Sequence, residues 1–270
     1  MSTPPGSNPY AAPQAVVSRP SETFDGNFIP NGRSVGAGQG ASWIGTGWNL
    51  FMRAPMMWVL LFIVLFIMIM IMAFIPLLGS IAINLLMPFF LGGVMLGCRE
   101  LQQGGELRID HLFSAKEKLG DLVLVGLIYL GAFILVYIAL AIIFMVFFGF
   151  TALAAIFGGG GDASSAIALG GLGIGMVLFF LLAMAVSIPI LMAYWFAPSL
   201  VVFHDMKPFD AMKMSFKACI KNIVPFLIYG LIGLLLTVLI VITFGLGMLV
   251  ISPVLMASIY ASYHDIFITE

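Results

Sequence analysis

The stretch Met56-Met-Trp-Val-Leu-Leu-Phe-Ile-Val-Leu-Phe-Ile-Met-Ile-Met-Ile-Met-Ala-Phe-Ile75 decides the fold. It has no charged residue and no polar face at any helical spacing. A helix apolar all round is buried in a large core or in lipid. Twenty residues at about 1.5 Å each span about 30 Å, the thickness of a bilayer's hydrocarbon core. Pro76-Leu-Leu-Gly79-Ser80 follows as a turn, and a second apolar run, Ile81–Cys98, returns. The first structural unit is thus a hairpin of two membrane-crossing helices.

The whole chain shares this character. Of 270 residues, 62% are hydrophobic and 9% charged, against roughly 45–50% and about 25% in soluble domains. A soluble fold of this size cannot hide so much apolar surface. The composition argues against a secreted disulfide scaffold, a nucleic-acid-binding domain and a conventional cytosolic enzyme. Net charge is −1, so no global field steers a polyanion. Cys98 and Cys219 are too few and too distant for a disulfide framework.

Charge punctuation sets the number of crossings. Spans 54–98, 122–161, 163–203 and 222–263 contain no Asp, Glu, Lys or Arg. The first holds the hairpin described above. The last holds another, about Val224–Phe244 and Leu246–Tyr263, turning near Gly245-Leu-Gly247. The middle two each give one crossing, about Leu122–Phe148 and Met176–Phe196. Between them, Gly158–Gly161 and Gly170–Gly175 are expected to form a flexible outer loop, with extensions of long tilted helices or broken-helix backbone lining a pathway as the alternatives. Six crossings result. All eleven Lys and Arg lie in the N-terminal stretch up to Arg53 or in the 99–121 and 204–221 loops. By the positive-inside rule those segments and both termini are expected in the cytoplasm. Trp43, Trp48, Trp58 and Trp195 then fall near the inner interface. Residues 1–40, with six Pro and six Gly, are expected to be a disordered cytoplasmic tail. Residues 41–270 form the transmembrane domain.

The even-numbered crossings resemble one another. Each carries a proline, two small residues four apart and a basic–acidic pair. The second has Pro88, Gly93 and Gly97, ending at Arg99-Glu100. The fourth has Pro189, Ala193 and Ala197, ending at His204-Asp205. The sixth has Pro253, Ala257 and Ala261, ending at His264-Asp265. Small residues four apart let helix backbones approach closely in lipid. Each odd crossing is preceded by a half-polar segment: Trp48–Pro55, Leu112–Gly120 or Phe209–Asn222. The expected fold class is therefore an all-α polytopic membrane protein. Its six transmembrane helices form three repeated hairpins with amphipathic lead-in helices, about 41–98, 112–203 and 208–267.

Three stretches carry a family resemblance. They are Trp43-Ile-Gly-Thr-Gly-Trp48 with its continuation to Trp58, Phe196-Ala-Pro198-Ser-Leu-Val-Val-Phe-His204-Asp205, and Pro208-Phe-Asp-Ala-Met-Lys-Met-Ser215-Phe-Lys-Ala-Cys-Ile-Lys221-Asn222. Together they resemble a family of uncharacterised bacterial six-helix inner-membrane proteins. More distantly they are similar to the membrane domain fused to some glycerophosphodiester phosphodiesterases. The resemblance covers about residues 40–267. It implies an architecture and a multi-pass place in the bacterial inner membrane, but no activity. No phosphodiesterase domain accompanies it.

Candidate chemistry is sparse. No Asp, Glu, Lys, Arg or His lies inside the six crossings, where proton-coupled transporters and intramembrane enzymes keep such groups. Asn84 is read as a helix–helix hydrogen-bonding residue. The three histidines each neighbour an aspartate, Asp110-His111, His204-Asp205 and His264-Asp265. The expectation is that two of these histidines lie at helix C-termini, where a cation complements the macrodipole, with converging metal ligands as the alternative. No catalytic residue, cofactor or metal is expected. In 208–221, Phe209, Met212, Phe216, Cys219 and Ile220 recur at helical spacing, with Lys207, Lys213, Lys217 and Lys221 beside them. This pattern is expected to lie in the inner interface, lysines toward anionic headgroups. The functional expectation is a non-enzymatic inner-membrane protein that organises lipids or partner proteins. Its partners would be membrane lipids, other membrane proteins or itself, and no nucleic acid. The alternative is a channel or carrier for a small or apolar solute.

Overall fold

The computed structural model describes residues 26–157 and 162–269. These are helical almost throughout. In order they form α1 (Gln39–Arg53), α2 (Pro55–Ala73), α3 (Leu78–Gln102), a 3-10 helix (Ile109–Lys118), α4 (Leu119–Phe157) and α5 (Asp162–Trp195). Then follow α6 (Ala197–His204), α7 (Pro208–Lys221), α8 (Ile223–Ile242) and α9 (Met248–Phe267). Six helical stretches are long and apolar enough to cross a membrane. The chain is an all-α integral membrane protein.

Local chemistry sets the boundaries. Pro55, Pro198 and Pro208 each sit in a first helical turn, where the missing N–H costs nothing. The α8–α9 turn needs the left-handed backbone of Gly245, φ +89°, which glycine adopts without a Cβ penalty. Pro198 also marks a break in the fourth crossing, where the stretch from proline to the basic–acidic pair is one helical turn longer than in the second and sixth. The helix stops at Trp195 and restarts as the separate α6, rather than running one extra turn.

The half-polar segments are helices, and they pack in an order that goes round the molecule. The 3-10 helix lies chiefly on α3, α7 chiefly on α5, and α1 chiefly on α9. Each lead-in therefore rests on the second helix of the preceding hairpin, and the first rests on the last. At these seams the backbones come close. A Cβ on Gly93 of α3 would collide with the carbonyls of His111 and Leu112. A Cβ on Gly47 of α1 would meet the Val254 carbonyl at 2.6 Å and the Ser258 nitrogen at 2.8 Å. At the third seam, Ser215 of α7 donates to the Met192 carbonyl at 2.6 Å and accepts from the Phe196 nitrogen at 2.9 Å.

Several expectations need correction. The tail does not extend to residue 40, because the chain is docked from Asn27 onward. Ile29 donates to the Phe267 carbonyl, Thr269 to the Asn27 carbonyl, and Arg33 to the Ile266 carbonyl. Asn222, fully buried, accepts from the Val35 nitrogen and donates to the Arg33 carbonyl. A polar composition hid this because the segment is held by backbone hydrogen bonds and not by apolar periodicity. Residues 1–25 and Gly158–Gly161 lie outside the described residues.

The outer-loop expectation fails for Gly170–Gly175, which lie within α5. At about 1.5 Å per residue, the 39 residues of α4 run ~58 Å and the 34 of α5 ~51 Å. Both greatly exceed the roughly 30 Å of hydrocarbon that α2 and α8 match. The tryptophans are not a simple interfacial belt either. Trp43 and Trp58 are buried, and Trp58 donates to the Leu50 carbonyl at 3.1 Å. The Trp195 indole nitrogen is buried beside Phe226 and Tyr229 with no acceptor among the described residues. Only Trp48 is well exposed among the four.

Candidate functional site at the charged end

All the described lysines and arginines sit at one end of the bundle, where the lead-ins meet the C-terminal ends of α3, α6 and α9. The centre of this end is filled. Val94 and Cys98 of α3, Leu200 and Val201 of α6, and Ala257 of α9 are fully buried in one continuous core. Arg99 lies over the Phe203 ring at 5.0 Å, and Phe203 stacks on Tyr263. Long-range ties hold the rim. Lys118 pairs with Asp205 at 2.6 Å, and Arg33 with Asp265 at 2.8 Å.

The proposed packing residues separate into two groups. Pro88, Gly93, Gly97, Ala197, Pro253, Ala257 and Ala261 are buried. Pro189 is exposed and Ala193 half-buried. Gly93 and Gly97 together seat the 3-10 helix, since a Cβ on Gly97 would meet Leu107 and His111.

Around α7 the apolar pattern divides differently from the sequence expectation. Pro208, Ala211, Met212, Ser215, Ala218 and Cys219 face the bundle. Phe209 and Ile220 face outward, 68% and 47% exposed, with Phe216 half-buried on the same side. Lys207, Lys213 and Lys217 are exposed. Lys221 is committed elsewhere, donating to the carbonyls of Asn31 and Gly32 at 3.2 Å. The small residues carry the close packing, and that leaves the largest apolar side chains free to point away. Burial pushes the Cys219 thiol up to about 12, only partly opposed by a hydrogen bond with Ser215.

The histidines are placed as individual packing residues. His111 accepts the Arg108 backbone N–H at 3.0 Å on Nδ1. His204, expected as a solvated cation at a helix end, is half-buried between the Phe28 ring, 3.8 Å away, and the Tyr263 hydroxyl, 2.5 Å from Nε2. Among the described residues no three His, Cys, Asp or Glu side chains converge as metal ligands. Asn84, expected to bond between helices, donates to its own helix at the Ser80 carbonyl, 2.9 Å. It borders an apolar groove of about 580 Å³ with Tyr129 and Tyr137 of α4.

A second groove, of about 510 Å³, is polar and lies between α1, the end of α9 and Gln102 of α3. Its α1 wall is Gln39, Ser42, Thr46, Asn49 and Arg53, spaced three and four apart on one face. The neighbouring face of α1 (Gly40, Trp43, Gly47, Leu50) is buried, and Trp43 and Leu50 form the inner edge of the groove. That alternation is visible in the sequence, but only Asn49 and Arg53 fall within the half-polar segment read as a lead-in, Trp48–Pro55.

Comparison with known proteins points the same way as the helices. The chain is similar to a membrane protein. Over 255 residues it is 29% identical to a protein named a probable inner membrane protein from Burkholderia thailandensis, a match covering 86% of this chain and 92% of that one. No family model and no solved structure matches. The likeness to the membrane domain of glycerophosphodiester phosphodiesterases gains no support from that relative.

Proposed function

We propose that this is a non-enzymatic, multi-pass protein of the bacterial inner membrane, with both termini in the cytoplasm, that organises lipids or partner proteins. The observation that carries the reading is the filled centre of the charged end, where Val94, Leu200, Val201 and Ala257 are fully buried. A channel or carrier needs a wettable path through that centre. The orientation rests on the charge distribution, with all the described Lys and Arg gathered at one end of the crossings. The outward face of α7 supports contact with lipid. Phe209 and Ile220 can enter the interface while Lys213 and Lys217 meet anionic headgroups, each worth about 1 kcal/mol.

The test is lipid retention by full-length protein purified in mild detergent, with solute flux measured after reconstitution. The account expects Lys213→Glu with Lys217→Glu to cut retained anionic lipid several-fold while far-ultraviolet helicity stays unchanged. It expects no flux above that of empty vesicles. Flux of a small solute, with lipid retention unaffected by the double substitution, would favour the channel or carrier.

A further inference from the structure

We infer that the polar groove between α1 and α9 is a binding site for a phosphate group. Its charge is the first reason. Arg33 and Arg53 bring two positive charges and Asp265 one negative. Asp265 is already engaged, with Oδ1 accepting from Arg33 and Oδ2 from the Trp43 indole, both at 2.8 Å. The excess charge therefore sits on Arg53. That side chain uses one nitrogen, Nη1, to hold the carbonyls of Leu101 and Gln102 at 2.9 and 3.3 Å. Its Nε and Nη2 make no hydrogen bond among the described residues. A guanidinium fixed at one corner and open along the other edge is preorganised for a tetrahedral oxyanion.

The second reason is the neutral wall. Asn49 and Thr46 stand one and two turns before Arg53 on the same face of α1, and Gln102 faces them. These groups donate hydrogen bonds without adding charge, which suits a phosphate diester or monoester. Among the described residues none of the three side chains makes a hydrogen bond. The packing of α1 uses the neighbouring face, and that packing does not call on the side chains of Thr46 or Asn49.

The third reason is position. On α1 the stripe is bordered by Trp48 and Met52, 46% and 53% exposed. A phosphate at Arg53 therefore lies beside an apolar flank at the charged end of the crossings. The same chemistry admits a phospholipid headgroup at the interface or a free phosphate from the aqueous side. This site is separate from the outward face of α7, so it stands or falls without the lipid-organising reading.

The experiment uses delipidated full-length protein in a zwitterionic detergent. One arm titrates inorganic phosphate by calorimetry. The other titrates short-chain phosphatidic acid, with a neutral diacylglycerol of the same chain length as control. Binding in both arms identifies free phosphate as sufficient, and binding of phosphatidic acid alone identifies a lipid headgroup. In either case Arg53→Gln should weaken binding by about tenfold, the loss expected from one charge-assisted hydrogen-bonded contact. Asn49→Leu, which leaves the Arg53–Leu101 contact intact, should weaken it several-fold. Lys213→Glu should leave it unchanged. No binding in either arm, equal binding of the neutral control, or wild-type affinity in a folded Arg53→Gln protein would overturn the assignment.

Discussion

Arg33 and Asp265 stand 232 residues apart in the chain and 2.8 Å apart in space. Arg33 Nε also donates to the Asp265 carbonyl at 2.6 Å, and the second carboxylate oxygen accepts from Trp43. One side chain thus ties the N-terminal segment, α1 and α9 together, where the first lead-in closes on the last helix. The two partners are not equivalent. Removing Asp265 strands the indole N–H of Trp43, a residue only 2% exposed, at about 1–3 kcal/mol. Removing Arg33, whose side chain is 43% exposed, loses about 0.2–1 kcal/mol. Thermal unfolding in detergent should therefore show Asp265→Ala more destabilised than Arg33→Ala. Equal losses would mean that the indole bond contributes nothing.

The lead-in seams depend on glycine, and the dependence should be local. Gly47→Ala and Gly93→Ala each drive a methyl group into a neighbouring backbone, and overpacking of this kind costs about 1–3 kcal/mol. Gly131 and Gly230 have open space where a Cβ would stand. Gly131→Ala and Gly230→Ala should be neutral or raise stability by up to about 1 kcal/mol through helix propensity. Unfolding midpoints of the four variants test this, and a loss at Gly131 matching that at Gly93 would contradict the seams.

Burial raises the Cys219 thiol from its ordinary range to about 12. The folded protein therefore favours the neutral thiol. Its contribution to stability is complete below the ordinary thiol pKa, near 8.5, and declines as pH rises from there toward 12. Folded protein should leave Cys219 unmodified by maleimide at pH 7.5, and Cys219→Ala should flatten the alkaline loss of stability above pH 9. Rapid labelling at pH 7.5 would show that the α7–α5 seam opens.

The crossings were legible because lipid imposes a simple rule: long uncharged runs bounded by charge. The turns at Pro76–Ser80 and Gly245–Gly247 followed from the same logic. The lead-ins were legible as half-polar segments, but their partners were not, since a seam such as Gly47 on Ser258 depends on where backbones meet. Around α7 the sequence pattern was misleading. In water the largest apolar residues would define the buried face, but beside a bilayer Phe209 and Ile220 can point outward while Ala211, Ser215 and Ala218 pack inward. The docked segment from Asn27 to Gly38 and the polar stripe of α1 were missed together. The first is held by hydrogen bonds in a stretch whose composition reads as a tail, and the second is marked only by uncharged polar groups and Arg53, most of them beyond that stretch.

Two positions decide which side of the membrane the charged end faces. Asp162 begins α5 at the far end of the long hairpin, and Ser114 lies exposed in the 3-10 helix at the charged end. With Cys98 and Cys219 both buried, Asp162→Cys and Ser114→Cys can be read over a low background in intact cells. A membrane-impermeant maleimide added outside should label Asp162→Cys and spare Ser114→Cys until the membrane is permeabilised. Labelling of Ser114→Cys from outside, with Asp162→Cys protected, would contradict the account.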